Sequence, residues 1–262
     1  MTSSTPPGPG LQRPLVVAAT AASEEAAAAC AAHLGGDVLT RAAWERADPP
    51  PVVVWWDEDG PALRGPPAGA GPRRPPPPAP ARPGRDPLLR ALGRPLAASR
   101  VIDATAGWGA DAGVMAAAGA HVLMLERSPT MALLLAAALT RWQAAGIEAG
   151  QRLAVLAGDA LDHLAHLPAA DVVYLDPLYA KREHRTTSAV ELRWLRTVAG
   201  WSPAGRDDEA ALLGAARAVA TRRVVVKRAR ADAPLAGQAP SGSVAGRTTR
   251  YDIYAGTRRP GA

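Results

Sequence analysis

Short apolar runs alternate with segments of helical periodicity along the C-terminal two thirds of this chain. Strands are predicted at 100–104, 121–125, 153–157, 171–175 and 222–227, with a last one near 250–255. Between them, apolar positions recurring every three to four residues predict helices at 110–118, 129–145, 159–166, 187–199 and 207–220. Strand–helix alternation of this kind predicts an α/β fold with a doubly wound, mostly parallel sheet covered by helices on both faces. Ligands of such sheets bind beyond the carboxyl ends of the strands, where the strand order reverses.

The N-terminal third reads differently. Residues 1–13 are rich in Pro, Gly, Ser and Thr and are expected to form a disordered tail. Residues 14–64 form a small α/β appendage. It has a strand at Leu15–Ala19, an Ala-rich helix from Ser23 that is stopped by Gly35-Gly36, and a second strand at Val52–Trp56. Glu24 and Glu25 occupy the first turn of that helix, where its dipole favours them. Residues 65–87 are crowded with proline and carry Arg73, Arg74, Arg82 and Arg85. Proline excludes a helix or central strand, so an extended linker is expected, either a spacer or a basic arm for RNA phosphates. Residues 88–262 then form the main domain.

The core must be built from Leu, Val and the 7 Trp, because the chain contains no Phe. The net charge is +6 and the pI near 10.2, carried almost entirely by Arg, which suits an anionic partner. Cys30 is the only cysteine, which excludes an internal disulfide or a cysteine metal cluster and points to a reducing, cytoplasmic setting. The five His show no metal-ligand spacing, so no metal is expected; His163 and His166 read as surface positions. No apolar run approaches the roughly 18 residues that span a membrane.

Two segments carry chemistry. Val101-Ile-Asp-Ala-Thr-Ala-Gly-Trp-Gly-Ala-Asp111 is a buried strand that ends in a glycine turn and opens a helix. Gly107 and Gly109 allow a sharp turn and close approach of a ligand to bare backbone. Asp103 and Asp111 flank the turn. They suit an ammonium and would repel a pyrophosphate. Glu126 ends the next strand, nineteen residues after Gly107, and can accept from two ribose hydroxyls. Arg127 can line an adenine, and Asp159, followed by Ala160, can accept from an adenine amino group. The glycine turn alone also fits a dinucleotide site. The added acids favour S-adenosylmethionine.

The second segment, Val172-Val-Tyr-Leu-Asp-Pro-Leu-Tyr179, is a buried strand that ends in Asp176-Pro177-x-Tyr179. Asp176 can accept from an exocyclic amine, Pro177 stiffens the loop, and Tyr179 can stack on a flat base. Lys181, Arg182 and Arg185 follow directly, and Lys227 and Arg228 end the strand at 222–227. All five are candidate RNA contacts.

Five blocks then resemble one family. They are Asp103-Ala-Thr-Ala-Gly-x-Gly-x-Asp111, Met124-Leu-Glu-Arg-x-Pro129, Val173-Tyr-Leu-Asp-Pro177, Arg223-Val-Val-Val-Lys-Arg228 and Tyr251-Asp-Ile-Tyr-Ala-Gly-Thr257. Over roughly residues 88–257 the chain is similar to the RsmJ (YhiQ) family of 16S rRNA (guanine-N2)-methyltransferases. The resemblance implies a Rossmann-like class I S-adenosylmethionine-dependent methyltransferase fold. It implies cofactor contacts at Ala110-Asp111, Glu126-Arg127, Asp159-Ala160 and Asp176. It also implies a guanine near the 3′ end of 16S rRNA, on the small ribosomal subunit. The chain departs from the family at Ala110, where Arg is usual, at Asp159-Ala160, where two Ser are frequent, and at Ala180, where a second Pro is usual. The alternatives left open are another amine acceptor (adenine N6 or a protein amide), a nicotinamide oxidoreductase, and a non-catalytic RNA-binding assembly factor. Oligomeric state is not legible.

Overall fold

The structure is a computed structural model that describes residues 13–67, 69–177, 187–198 and 206–257. The chain divides into two compact units. One comprises Met1–Arg74 with Arg182–Ser202, and the other Pro75–Lys181 with Pro203–Ala262. The 65–87 run is thus shared between them, and the helix expected at 187–199 belongs with the first.

In the first unit the elements are β1 (Leu15–Ala18), α1 (Glu24–Leu34), β2 (Asp37–Val38), α2 (Arg41–Arg46), β3 (Val53–Asp57) and β4 (Gly60–Arg64). They form a four-stranded sheet in the order β2-β1-β3-β4, parallel except for β4. Its centre is Val17, Trp44, Val53 and Trp55, with the two indoles edge to face at 5.5 Å. The Arg64 guanidinium stacks over both rings, 4.6 and 4.1 Å from their centroids. Leu63 and Arg73 exchange backbone hydrogen bonds of 2.8 and 2.7 Å, so the Pro-rich run starts by doubling back on β4. Arg74 is not free for phosphate, because it pairs with Asp57 and donates to the Gly60 carbonyl. Arg73 lies 3.6 Å from Glu191.

The second unit continues the numbering with α3 (Pro87–Leu92), β5 (Arg100–Asp103), α4 (Ala110–Ala117), β6 (His121–Glu126), α5 (Pro129–Ala144), β7 (Leu153–Ala157), α6 (Ala160–Leu164) and β8 (Ala170–Leu175). After α7 (Thr187–Val198), which lies in the first unit, come α8 (Arg206–Val219), β9 (Ala220–Ala229), β10 (Gly242–Ala245) and β11 (Thr249–Ala255). Pro87, placed by the sequence in the linker, is instead the first residue of α3. Proline is at home there, and the Asp86 carboxylate caps the turn by accepting from Leu88 N–H at 2.8 Å.

The seven strands lie in the order β10-β11-β9-β8-β5-β6-β7. β7, β6, β5, β8 and β9 run parallel, and β11 and β10 close the edge antiparallel. The chain winds outward from β5 through β6 to β7, then returns to lay β8 on the other side of β5. The order therefore reverses between β5 and β8. Alternate strand residues feed opposite faces. Met124 and Tyr174 join one core with Leu92, Met115 and Trp142, whereas Leu125 and Val173 join the other with Leu213 and Val226. Among the described residues, no helix is long and apolar enough to cross a membrane.

Gly109 couples fold to site. Its φ is +72°, and a Cβ there would meet Leu135 Cδ2 at 2.8 Å, so the residue lets α4 start tight against α5. Gly109→Ala is expected to cost about 1–3 kcal/mol through backbone strain and overpacking. Urea unfolding measures this, and an unchanged midpoint would contradict the packing described.

Candidate active site

The carboxyl end of β5 delivers Asp103, Thr105 and the Gly107-Trp-Gly109 turn, with φ of +53° at Gly107. Glu126, at the end of the neighbouring β6, braces that turn. Its Oε2 accepts from Gly107 N–H at 2.9 Å and its Oε1 from Ser128 N–H at 2.8 Å. The nineteen-residue spacing seen in the sequence therefore has a structural use as well as a chemical one. A carboxylate has about four acceptor sites, so two N–H groups leave room for hydroxyls. Burial pushes the Glu126 carboxyl up from its ordinary value, and the two N–H groups and Arg127 oppose that shift.

Asp103 is almost fully buried, and its Oδ1 accepts from Thr105 N–H at 3.1 Å. Burial, reinforced by Asp111, Asp176 and Glu126, lifts its carboxyl to about 8 despite the Thr105 N–H. At neutral pH it is largely uncharged.

Asp111, in the first turn of α4, and Asp176, just past β8, are joined by one ammonium. Lys227 Nζ is 2.8 Å from Asp111 Oδ2 and 3.0 Å from Asp176 Oδ2. Tyr174 O–H donates to the same Asp111 oxygen at 2.6 Å. Asp176 N–H donates to Thr105 Oγ1 at 2.6 Å, which fixes the end of β8 against the end of β5. Burial pushes the Asp176 carboxyl up, and the Lys227 ammonium pulls it back. Burial also works against the charge on Lys227, but the two carboxylates outweigh it and raise the ammonium's pKa. Tyr174 is buried and held well above its ordinary value, so it remains a donor.

The other expected site residues fall on the same rim. Ala110 opens α4, and Arg127 is exposed just after β6. Asp159 caps α6, accepting from Leu161 N–H at 2.8 Å, and Ala160 follows as the first residue of that helix. Pro177 is half-buried beside Asp176. Tyr179, Lys181, Arg182 and Arg185 lie outside the described residues.

Lys227 and Arg228 were expected as RNA contacts at the rim. Successive strand residues point to opposite faces, and each of these cations meets protein. Lys227 turns into the acid pair. Arg228 is 7% exposed, donates to the Ala233 carbonyl at 3.0 Å and lies 3.9 Å from Glu209. His163 is not a plain surface residue either, since its Nε2 is 2.9 Å from the Ala157 carbonyl and its ring covers Gly158. Sequence reasoning missed Tyr174 and Thr105. A hydroxyl-bearing ring inside the apolar run Val172-Val-Tyr-Leu175 was the available signal for the first.

Comparison with known proteins bears on this site. A family profile described as "Putative SAM-dependent methyltransferase" matches residues 81–256. Ribosomal RNA small subunit methyltransferase J of Alkalilimnicola ehrlichii is 45% identical over 176 residues, 66% of this chain and 67% of the relative. The protein of the same name from Halorhodospira halophila is 46% identical over 177 residues, 65% of each chain. The matched stretch thus spans about two thirds of these relatives' lengths. Among solved structures, a SAM-dependent methyltransferase from Neisseria gonorrhoeae superposes with a TM-score of 0.66 at 26% identity, covering 95% of this chain and 97% of that one.

The raised carboxyl of Asp103 has a consequence for stability. Below about pH 4 the group is protonated in both folded and unfolded chains. Between there and about 8, only the folded chain keeps the proton. The unfolding free energy therefore declines as pH rises through that window and levels off above it. Asp103→Asn is expected to flatten this decline in unfolding measured from pH 5 to 8, and a decline identical to that of the parent would contradict the assignment.

Proposed function

The chain belongs to the SAM-dependent methyltransferase family that includes ribosomal RNA small subunit methyltransferase J, and from that premise we propose that it methylates the N2 amine of a guanine near the 3′ end of 16S rRNA. The observation that carries the proposal is the grouping of Asp111, Glu126 and Asp176 around a glycine turn at the sheet's switch point. Carboxylates there suit hydroxyls, an ammonium and an amine, and would repel the pyrophosphate of a nicotinamide cofactor.

The donor set fits S-adenosylmethionine. Glu126 keeps acceptor capacity for the ribose hydroxyls, and Asp111 Oδ1 has no partner among the described residues, which leaves it for the amino acid end. Asp159 and Arg127 border the adenine. When bound, the cofactor supplies an electrophilic methyl on sulfur. Asp176 orients the guanine amine and accepts its proton. Little base strength is required, because the amine becomes acidic only as it acquires the methyl. Most of the acceleration then comes from positioning. Tyr179 stacks on the flipped base, and Lys181, Arg182 and Arg185 meet the flanking phosphates. The small ribosomal subunit is the partner and the cytoplasm the setting.

The direct test uses labelled S-adenosylmethionine and small subunits that lack their own modification, followed by nucleoside analysis. Label is expected in N2-methylguanosine near the rRNA 3′ end. Label confined to adenosine or to protein would overturn the proposal. Glu126→Ala is expected to weaken cofactor binding by roughly 1.5–3 kcal/mol, the range for charge-assisted hydrogen bonds. Calorimetric titration reads this, and parental affinity in the variant would place the ribose elsewhere.

A further inference from the structure

Lys227 is half-buried at the end of an apolar strand, and it carries its charge directly to Asp176. Val226 pairs with Leu175 across the sheet, so the next residue on β9 stands beside the residue that leaves β8. Lysine's single ammonium reaches two carboxylates at once, 2.8 Å from Asp111 Oδ2 and 3.0 Å from Asp176 Oδ2. Tyr174 O–H secures the shared Asp111 oxygen from β8, and Tyr251 on β11 lies opposite Lys227 in register. Both phenols are held above their ordinary values by burial, so neither competes as an anion. Asp103 adds no full negative charge at neutral pH, for the reason given above. Lys227 is therefore the one cation in contact with Asp176 among the described residues.

We infer that Lys227 is a positioning residue for methyl transfer, holding Asp176 Oδ2 so that the carboxylate is anionic and its other oxygen faces the substrate amine. This deepens the proposed reaction and rests on it. Asp176 takes the amine proton as nitrogen bonds the methyl and the methyl–sulfur bond breaks; the proton then leaves to solvent. An uncharged Asp176 has no capacity for that proton. Removal of Lys227 leaves Asp176 facing Asp111 in a half-buried setting, and both desolvation and like charge favour the protonated acid. Arginine would supply the charge but not the compact fit, so it is the conservative variant.

Two readouts separate this inference from the reaction on which it rests. The first needs no activity. Carboxyl carbon signals of the cofactor-free protein are titrated by NMR, with Asp176 assigned by its loss in Asp176→Asn. Lys227→Met is expected to raise the Asp176 midpoint by about one unit or more, the usual effect of losing a contacting opposite charge. Lys227→Arg is expected to return it most of the way. An unchanged midpoint in Lys227→Met overturns the inference, whatever the acceptor proves to be. The second readout is the pH profile of kcat on unmodified small subunits. In Lys227→Met the acid limb is expected to move upward with the Asp176 midpoint, with cofactor affinity within about threefold of the parent. A loss of turnover equal at every pH would mark Lys227 as merely structural. Should Lys227→Met fold poorly, Lys227→Gln carries the same titration.

Discussion

One ammonium between two carboxylates holds the site together. Lys227 on β9 reaches Asp111 on α4 and Asp176 at the end of β8, and Tyr174 reinforces the Asp111 end. A half-buried arrangement of this kind contributes little net stability, because desolvation offsets much of the attraction. Its consequence is geometric. Removing any member leaves a half-buried charge without its partner, so the ends of β8 and β9 and the first turn of α4 favour one relative position. The Asp176 N–H to Thr105 hydroxyl bond adds β5 to that set, and Glu126 adds β6 through the backbone of Gly107. Five elements that converge on the switch point are thus fixed by polar contacts at the carboxyl rim of the sheet.

The same contacts divide the acids by role. Asp103 sits deepest and is largely neutral, Glu126 is a brace with spare acceptor sites, and Asp111 and Asp176 share a cation. The carboxylates, to which the sequence assigned separate acceptor roles, also differ in burial and partners. The grading suits a reaction that needs one carboxylate as a proton acceptor and the others as binding groups.

Much of this was legible in the chain. Six of the seven strands of the main sheet and the helices between them emerged from periodicity, whereas β10, only four residues long, did not. The rim residues emerged because a glycine turn and acids at strand ends have few uses besides ligand binding. What was hidden depended on long-range register. Nothing in Arg223-Val-Val-Val-Lys-Arg228 says that β9 lies next to β8, yet that adjacency turns Lys227 from an expected RNA contact into part of the acid cluster. Arg228 was misread for a related reason, since Glu209 on α8 is remote in sequence. The elements that were missed are short, such as β2 and α2, or start at a proline, as α3 does, and carry too few residues to show a period. The Pro-rich run was read as extended from composition alone, which cannot reveal that Arg73 pairs with β4 or that Arg74 is spent on Asp57.

The proposed function puts the cofactor across the ends of β5 and β6 beside an Asp176 already held by Lys227. A crystal structure with S-adenosylhomocysteine tests it most directly. Ribose hydroxyls are expected against Glu126, the amino acid end along Gly107 to Asp111, and Lys227 still in contact with Asp176. A nucleoside bound away from Glu126, or a Lys227 withdrawn from Asp176 in the bound state, would contradict it.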